Sequence, residues 1–391
     1  MKKVISVLLS VIFAASVFCG SAYGVIGLLG DVNNDGSINN KDVVSLFKHL
    51  SGVYSDAVPG NGDYNRDGSL NNKDVSALFK ALGGSVHYMY TIENQTENDY
   101  KLKVLQFNVQ TENGNPAPFT SRATMYHNLI DELQPDVVGM QEVTVTWRKW
   151  LDSTVFNDSY AGVGEPRSAG GEANPIYYRK DKFDLLEYGT FWLSATPDVV
   201  GSAFDKVNYP RICTWVYLKD KVTGTEFVHF NTHLDHNGNN DSTTGNTIRK
   251  DQMSVIIKFA QRFKEIPMFL TGDLNNRRTT SENKTYALIK YIQGDSNYKY
   301  SDGTMLCLNL SDARLNAGQT VPADRIATMT KYYDENNTAY NPAREPIDYV
   351  FYDAKTTKAL TYETFLISQG TTWISDHLPV FATFSINPTQ Q

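Results

Sequence analysis

The sequence predicts a layered α/β sandwich preceded by a small helical module, and three patterns support this prediction. Residues 100–387 alternate between apolar runs, rich in valine, phenylalanine, tyrosine and isoleucine, and amphipathic stretches with helical spacing. Such a mixture of strands and helices is typical of a layered α/β fold. Polar motifs follow several of the apolar runs, which places functional side chains at strand ends. A duplicated segment precedes this region.

The composition excludes some classes of protein. A chain of 391 residues is long enough for two or three domains and a large core. Its net charge of −7 is unfavourable for general nucleic-acid binding, because phosphate contacts depend on Lys and Arg. Three cysteines are too few for a disulfide framework. Cys213 and Cys307 are expected either to pair or to be buried as thiols, and burial is favoured.

Residues 1–24 have the pattern of a secretory signal peptide. Met1-Lys2-Lys3 is followed by an apolar run from Val4 to Phe18 and then by small residues, with Ala22 or Gly24 as the cleavage edge. The apolar run is shorter than the roughly 20 residues that a membrane span needs. We therefore expect a secreted, extracellular protein with no transmembrane segment in the mature chain.

Residues 30–52 and 62–84 are nearly identical, and their constant offset indicates a duplication. Each copy begins with a loop that carries oxygen ligands at the spacing of a calcium-binding loop. Gly36 and Gly68 occupy the sixth loop position, where a sharp turn favours glycine. The predicted calcium ligands are Asp31, Asn33, Asp35, Ser37, Asn39 and Asp42 in the first copy and Asp63, Asn65, Asp67, Ser69, Asn71 and Asp74 in the second.

The two copies differ from an ordinary EF-hand. Both loops end in Asp where an EF-hand has Glu, and a helix follows each loop while none precedes it. This arrangement resembles the type I dockerin module of cellulosomal proteins. The resemblance implies a small all-α module over residues 25–84 that binds two Ca²⁺ ions through duplicated EF-hand-like loops. It also implies a cohesin domain of a scaffoldin as partner, and thus attachment to a cellulosome.

Residues 85–99 are polar and without a clear period, which predicts a short linker. The strands predicted after it have the sequences LKVLQFNV, DVVGMQEV, PIYYR, RICTWVYL, EFVHFNTHL, PMFLTGDL, IDYVFY and LPVFATFSI. Residues 122–133 and 247–263 have the apolar spacing of helices.

Six segments occur in an order that resembles the endonuclease/exonuclease/phosphatase superfamily, namely LQFNV, QPDVVGMQEV, NTHLDH, TGDLNN, PIDYVF and SDHLPV. The resemblance covers about residues 102–387. It implies a DNase I-like, four-layered α/β sandwich that hydrolyses phosphate esters with Mg²⁺ or Mn²⁺.

The resemblance also implies roles for residues of these segments. Glu142, helped by Asn108 and Asp376, corresponds to the metal ligand, a role that suits the oxygen preference of magnesium. Asp273 and Asn275 correspond to the pair that activates water and holds the phosphate. His377 corresponds to a proton carrier or transition-state stabiliser, and Asp348 to its hydrogen-bond partner. His233 corresponds to the second histidine, which either protonates the leaving oxygen or stabilises charge.

The substrate is less determined than the bond. Arg179 and Arg211 are candidate phosphate contacts, since Arg binds phosphate in a bidentate manner. The leading hypothesis is a secreted, cellulosome-associated phosphodiesterase or nuclease-like hydrolase, with nucleic acid among its substrates. One alternative is a phosphomonoesterase or a sphingomyelinase-like or inositol phosphatase-like hydrolase. Another is a non-catalytic binding domain that the dockerin presents on a scaffoldin.

Overall fold

The structure is a computed structural model of the chain. It describes residues 30–33, 39–53, 59–64, 69–84, 86–88, 101–112, 119–236, 243–277, 286–293, 307–318, 320–321, 326–333, 340–369 and 372–386. The predicted signal peptide lies outside these residues. So do four predicted calcium ligands, Asp35, Ser37, Asn65 and Asp67.

Helices form the N-terminal module, as the sequence predicts. Its described helices are α1 (Asn40–Leu50), α2 (Pro59–Gly62) and α3 (Asn72–Gly84). Leu46 of α1 and Leu78 of α3 are fully buried and belong to one apolar cluster with Val32 and Tyr64. The two copies of the repeat therefore share a core.

The last ligands of each predicted calcium loop also begin a helix. Asn39 Oδ1 accepts a hydrogen bond from the Lys41 backbone N–H at 2.9 Å, and the Asp42 carboxylate accepts one from the Asn39 backbone N–H at 2.8 Å. Asn71 and Asp74 repeat this arrangement at α3, with both distances at 2.8 Å. Closing the loop and starting the helix thus depend on the same side chains.

The segment predicted as an irregular linker contains a strand. β1 (Val86–Tyr88) pairs antiparallel with residues 365–367 of a strand in the C-terminal domain. Backbone groups at the edge of a sheet are open to an added strand, and this pairing satisfies them. The part of the linker that the structure describes is therefore joined to the larger domain.

Two sheets form the larger domain in the described residues. The strands are β2 (Lys101–Asn108), β3 (Val137–Gln141), β4 (Tyr160–Val163), β5 (Ile176–Arg179), β6 (Phe183–Trp192), β7 (Ile212–Asp220), β8 (Glu226–His233), β9 (Met268–Asp273), β10 (Ser311–Asp312), β11 (Asp348–Tyr352), β12 (Thr357–Gln369), β13 (Thr372–Trp373) and β14 (Val380–Ile386). The first sheet has the order β1-β12-β14-β2-β3-β5-β4, with β13 paired to β12, and the second has the order β10-β11-β9-β8-β7-β6.

Helices cover the outer face of each sheet. They are α4 (Phe119–Leu133), α5 (Val145–Trp150), α6 (Thr243–Ala260) and α7 (Tyr286–Gln293), whereas α8 (Ala313–Asn316) contributes Ala313 to the apolar cluster between the sheets. Apolar residues of α4 pack with β2 and β3, and those of α6 and α7 pack with β8 and β9. A third apolar cluster, including Val104, Phe269 and Phe384, lies between the sheets. The predicted α/β sandwich is confirmed, with helices outside two facing sheets.

Strand direction determines where the polar motifs meet. β2 and β3 are parallel, so the residues at their carboxyl ends, Asn108 and Gln141, are partners in register. β8 and β9 are also parallel, and His233 is paired with Asp273. β11 runs antiparallel to β9, so its first residue, Asp348, faces Asp273 as well. The motifs from both sheets therefore collect at one edge of the sandwich.

Both cysteines of the larger domain are free thiols, Cys213 buried and Cys307 partly exposed. The favoured interpretation of burial thus holds for Cys213. Among the residues that the structure describes, no helix has the length and apolar character needed to cross a membrane.

Candidate active site

The ends of β2 and β3 bring Asn108 and Glu142 together. Glu142 follows β3 with φ at 60°, a left-handed conformation that a non-glycine residue adopts where its surroundings hold it. Its Oε1 accepts from Asn108 Nδ2 at 2.9 Å, and its Oε2 accepts from the Thr111 backbone N–H at 3.1 Å. Asn108 Nδ2 also donates to Asp273 Oδ2 at 3.1 Å, while its Oδ1 accepts from the Gln110 backbone N–H. Asn108 thus bridges carboxylates from the two sheets.

Asp273 and Asn275 form a tight turn at the end of β9. Asp273 Oδ1 accepts from the Asn275 backbone N–H at 2.9 Å, and Asn275 has φ at 46°, which asparagine tolerates well. Asn275 Nδ2 donates to His233 Nε2 at 3.0 Å and to the Leu234 carbonyl at 3.1 Å. The structure therefore places the predicted water-activating pair beside one predicted catalytic histidine.

His377 is held by Asp348 and by Ser375. Asp348 Oδ2 lies 2.9 Å from His377 Nδ1, and both side chains are buried. Ser375 Oγ accepts from the His377 backbone N–H at 3.1 Å and donates to the Asn108 carbonyl at 2.7 Å. With Nδ1 occupied, the other ring nitrogen, Nε2, faces Asp273 Oδ2 at 3.7 Å. The Asp348 contact predicted from sequence is present in the structure.

The two histidines have opposite charge preferences. Burial disfavours protonation of His377, but the carboxylates of Asp348, Asp273 and Asp376 outweigh it and raise the pKa of His377 well above its ordinary value. Burial, reinforced by the charge of Arg211, holds the pKa of His233 well below its ordinary value. At neutral pH His377 is therefore a cation and His233 a neutral imidazole.

Carboxylates are crowded around these histidines. Burial, reinforced by the charge of Asp348, raises the pKa of Asp273 to about 7. Burial also raises the pKa of Asp376, and the charge of Glu142 adds to this effect. Such an excess of buried negative charge is what a bound divalent cation would compensate.

The residues present fit a hard divalent cation. Glu142 lies on the wall of the central cavity and accepts a hydrogen bond from Asn108. Asp376 is close enough that the charge of Glu142 raises its pKa. A second cluster of possible ligands is Asp273, Asp348 and His377, whose ligand atoms lie within 4.8 Å of one another. That proximity results in part from the hydrogen bond between Asp348 and His377, which a metal ion in the cluster would have to replace. The structure therefore offers two places for a cation, one at Glu142 and one at the cluster of Asp273, Asp348 and His377.

A cavity of about 600 Å³ opens at this edge of the sandwich. Its lining is predominantly polar and contains five cationic and three carboxylate side chains. The cations are Arg167, Arg211, Arg277, Lys331 and Arg344, and the carboxylates are Glu142, Glu172 and Asp273; His233, His236 and His377 also line the cavity. With His377 charged, this surface suits an anionic ligand.

One wall of the cavity is built around Arg211, a predicted substrate contact. Arg211 is buried, its Nη2 lies 2.9 Å from His236 Nδ1, and its Nε lies 3.9 Å from Asp235 Oδ2. Burial, with the neighbouring charge of Arg167, lowers the pKa of Arg211 from its ordinary value. Arg167 stacks 4.5 Å from the ring centre of Tyr209. The structure thus supplies Arg211 with a set of aromatic and cationic neighbours.

Several lining residues escape prediction from sequence. Arg167 lies in a loop after β4, Lys331 in the 3₁₀ turn Thr330–Tyr332 and Arg344 in a loop before β11, with no motif around them. Tyr209 could have been predicted to lie near the cavity, because it stands two residues before Arg211, a predicted substrate contact. A loop residue reaches a site only through tertiary packing, so no local spacing marks it.

Arg179, the other predicted substrate contact, does not line the cavity. It ends β5, where its guanidinium pairs with Asp181 and is partly exposed. The local turn therefore accounts for this arginine without a ligand.

Comparisons with known proteins agree with the geometry. The model of the Endonuclease/Exonuclease/phosphatase family matches residues 105–377, and that of the Dockerin type I domain matches residues 29–83. No curated protein matches the chain.

Several solved structures share the fold of the larger domain. One endonuclease/exonuclease/phosphatase family protein from Bacteroides thetaiotaomicron aligns with a TM-score of 0.59 and 24% identity over 74% of this chain and 99% of its own. Its counterpart from Bacteroides vulgatus has a TM-score of 0.58 and 26% identity over 74% and 100%. A mannosyl-6-phosphatase from B. thetaiotaomicron has a TM-score of 0.57 and 25% identity over 73% and 100%.

The raised pKa of Asp273 predicts a pH dependence of stability in metal-free protein. Between the ordinary value of 3.8 and about 7, the folded chain retains a proton that the unfolded chain releases. Stability is therefore lost as pH rises through this window, and Asp273→Asn should flatten the decline. Melting temperatures between pH 5 and 8, in EDTA, measure the effect. The control is Asp184→Asn at a carboxylate that is 60% exposed, which should keep the wild-type slope. Equal slopes for all three proteins would contradict the prediction.

Proposed function

This chain belongs to the endonuclease/exonuclease/phosphatase family and carries a type I dockerin domain, and from this premise we propose that it hydrolyses phosphate monoesters of sugars. Members of this family are phosphoester hydrolases, so the bond class follows from membership. The finer choice of a monoester rests on one observation, the convergence of five cationic side chains on the cavity that contains both catalytic histidines.

The charge of the cavity favours a monoester over a diester. A monoester carries close to two negative charges at neutral pH, whereas each phosphate of a diester carries one. A nucleic acid would also need a basic surface along its backbone, and the chain has a net charge of −7. The cations lie instead within one concave site. This arrangement favours the phosphomonoesterase alternative over the nuclease hypothesis.

A sugar as leaving group fits the rim of the cavity. Tyr209 is 50% exposed there, so its ring offers an apolar face beside polar donors. The ring of His236 lies 6.2 Å away and nearly parallel to it. Concave sites that combine aromatic faces with a few directed polar groups are suited to small polar ligands. The similarity to a mannosyl-6-phosphatase adds support.

Glu142, with Asn108 and Asp376, would hold a Mg²⁺ or Mn²⁺ ion. When bound, this ion supplies Lewis acidity to a phosphate oxygen and charge compensation to the leaving group. Asn108 contributes by orienting the Glu142 carboxylate through its 2.9 Å hydrogen bond.

Asp273 and Asn275 position the attacking water and the phosphate. The ionised Asp273 accepts a proton from water, and its Oδ1 is already oriented by the Asn275 backbone N–H. Because burial raises the pKa of Asp273 to about 7, this carboxylate is more basic than an ordinary aspartate. Asn275 fixes His233 in the tautomer whose Nε2 accepts a hydrogen bond.

His377 stabilises the negative charge that develops on the phosphoryl oxygens. Its imidazolium is oriented before substrate arrives, because Asp348 holds Nδ1 and the Ser375 hydroxyl holds the backbone. Arg211, which also lines the cavity, binds another phosphate oxygen. The reaction is direct attack by water without a covalent enzyme intermediate. As the new P–O bond forms and the bond to the sugar oxygen breaks, the water proton passes to Asp273 and the departing sugar oxygen takes up a proton from solvent in the open cavity.

The test of activity compares four substrates, namely mannose 6-phosphate, a p-nitrophenyl diester, sphingomyelin and DNA. We expect hydrolysis of the sugar phosphate to be fastest, to stop with EDTA and to return with Mg²⁺ or Mn²⁺. His377→Ala should lower kcat by about 10²- to 10³-fold, because losing one oriented donor to the developing negative charge costs about this much. His127→Ala, at an exposed helix position, is the control and should leave kcat unchanged. Preference for a diester would overturn the monoester proposal, and activity in EDTA would overturn the metal assignment.

Variants of the two arginines predicted to contact substrate provide a test of substrate binding and its matched control. Arg211→Met should raise KM for the sugar phosphate by 10-fold or more, because a charged hydrogen bond from a buried donor contributes about 1.5–3 kcal/mol. Arg179→Met should leave KM unchanged, since its guanidinium pairs with Asp181 outside the cavity. Steady-state kinetics of both variants measure this difference. Equal effects on KM would show that the cavity is not the phosphate site.

We propose that the dockerin domain attaches the enzyme to an extracellular protein complex. Dockerin domains bind calcium and imply a cohesin partner. Val44 and Phe47 of α1 and Phe79 of α3 are exposed by 50, 57 and 63%, and exposed apolar side chains of this kind are available for a partner to cover. We infer secretion, attachment to a cellulosome scaffoldin through a cohesin, and two Ca²⁺ ions in the loops.

Calorimetric titration with a purified type I cohesin tests the attachment. Binding should require Ca²⁺, because the residues that close the loops also begin α1 and α3. Phe47→Asp combined with Phe79→Asp should weaken binding by at least 100-fold. Val222→Asp, at a residue of the larger domain that is 91% exposed, is the control and should bind as wild type does. Calcium-independent binding would contradict the proposal.

A further inference from the structure

Three buried amides connect the two sheets directly behind the candidate active site. Gln106 of β2, Gln141 of β3 and Asn231 of β8 have no exposed surface. Burying an amide is unfavourable unless its hydrogen bonds are satisfied, so each of their partners has a structural consequence. The network ends at Asp348, the hydrogen-bond partner of His377.

The direction of the network is set at Asn231. Its Nδ2 lies between 2.8 and 3.2 Å from three backbone carbonyls, those of Met140, Asn174 and Pro175. A carbonyl can only accept, so this end of the amide must be the NH₂ group. Asn231 Oδ1 is thereby fixed on the opposite side, where it also accepts from Thr271 Oγ1 at 3.1 Å.

The orientation of each following amide is fixed by its hydrogen bond to the previous one. Gln141 Nε2 donates to Asn231 Oδ1 at 2.7 Å, which turns Gln141 Oε1 towards Gln106. Gln106 Nε2 donates one hydrogen to this oxygen at 2.9 Å and the other to Asp348 Oδ1 at 2.9 Å. Flipping either glutamine would place oxygen against oxygen. Asp348 Oδ1 therefore meets a donor.

We propose that Gln106 is a positioning residue for catalysis, which orients Asp348 so that its Oδ2 accepts from His377 Nδ1 and the His377 ring presents Nε2 to the site. With Oδ1 bound by Gln106, the carboxylate plane is held from its far side. A carboxylate held at both oxygens fixes the imidazole it contacts, as carboxylate partners do for histidines in other sites. This proposal rests on the proposed function, in which His377 contacts the phosphate.

The surroundings of Gln106 argue against a purely stabilising role. Burying a glutamine amide costs desolvation free energy that an apolar side chain of similar size does not incur, so packing alone would favour an apolar residue at this position. What Gln106 provides in return is two N–H groups, one of them directed at Asp348.

The backbone is adapted to the same network. Gly139 of β3 lies where an added Cβ would stand 2.2 Å from Thr271 Oγ1 and 2.7 Å from Asn231 Oδ1. Any larger residue would displace Thr271 and Asn231, the side chains that set the hydrogen-bond direction of the amide network. Thr271 is held in turn by His229 Nε2, at 2.8 Å from its hydroxyl. The two sheets are thus packed around the amides.

The test removes the donor while keeping the shape of the side chain. Gln106→Met should lower kcat on the sugar phosphate by about 10- to 100-fold, as is typical when a partner that orients a functional group is lost. KM should change by less than about twofold, because Gln106 does not line the cavity. The structural control is Thr361→Val, which removes a partly buried hydrogen bond to Thr383 outside the lining of the cavity and should leave kcat unchanged.

A double-mutant cycle separates positioning from general disruption. If Gln106 acts through Asp348, then Gln106→Met combined with Asp348→Asn should be no slower than Asp348→Asn alone. Additive losses in kcat, or a kcat for Gln106→Met equal to that of wild type, would overturn the proposal.

A spectroscopic measurement does not depend on the substrate. The His377 Nδ1 proton, identified by its absence in His377→Ala, should give a downfield, slowly exchanging NMR signal in wild type. This signal should be lost or shifted in Gln106→Met and retained in Thr361→Val. An unchanged signal in Gln106→Met would overturn the positioning role even if the enzyme has a different substrate. Failure of the monoester proposal would leave this result intact, so the two failures are distinguishable.

Discussion

The hydrogen bond between Asp348 and His377 is the interaction on which the rest of the site depends. It joins the first residue of β11, in one sheet, to the segment before β14, in the other, at the edge where both sheets end. Burial disfavours a charged imidazole, so the His377 cation exists because carboxylates surround it. Removing one partner would leave a buried charge without compensation, which costs several kcal/mol and far exceeds the net contribution of an intact pair. The pair is thus a constraint that neighbouring residues must satisfy.

The carboxylates that charge His377 create a second requirement. Burial and like-charge repulsion raise the pKa of Asp273 and of Asp376, and a bound proton or a nearby cation relieves this repulsion. In our proposal a divalent cation beside Glu142 would supply part of this positive charge, and the cationic side chains that include Arg211 line the same cavity. The phosphate of the proposed substrate would bind among these positive charges. The crowding of buried carboxylates would thereby favour binding of the proposed cation.

Sequence identified the residues of local motifs and did less well with residues outside them. Glu142 and Asp273 follow the apolar runs that form β3 and β9, and the parallel pairs β2–β3 and β8–β9 carry such ends to one edge, so their convergence could be predicted. His377 precedes β14 and reaches the same edge because β14 runs antiparallel to β2. Arg211 and Arg179 were both predicted from the sequence to contact the phosphate, yet only Arg211 lines the cavity. The two differ in a neighbour, since Asp181 stands two residues after Arg179 and pairs with it. A charge partner that lies close in sequence is a signal that can be read in advance.

The sequence by itself determined the repeat, the alternation of strands and helices, and the polar residue at each strand end, because these depend on spacing along the chain. Tertiary structure alone decided which loops reach the cavity and which of two buried histidines carries charge. It also decided that Gln106 meets Asp348, a contact between residues 242 positions apart. Charge state and hydrogen-bond direction depend on what surrounds a group in space. Asp348 and His377 acquire their properties only when two sheets close over them.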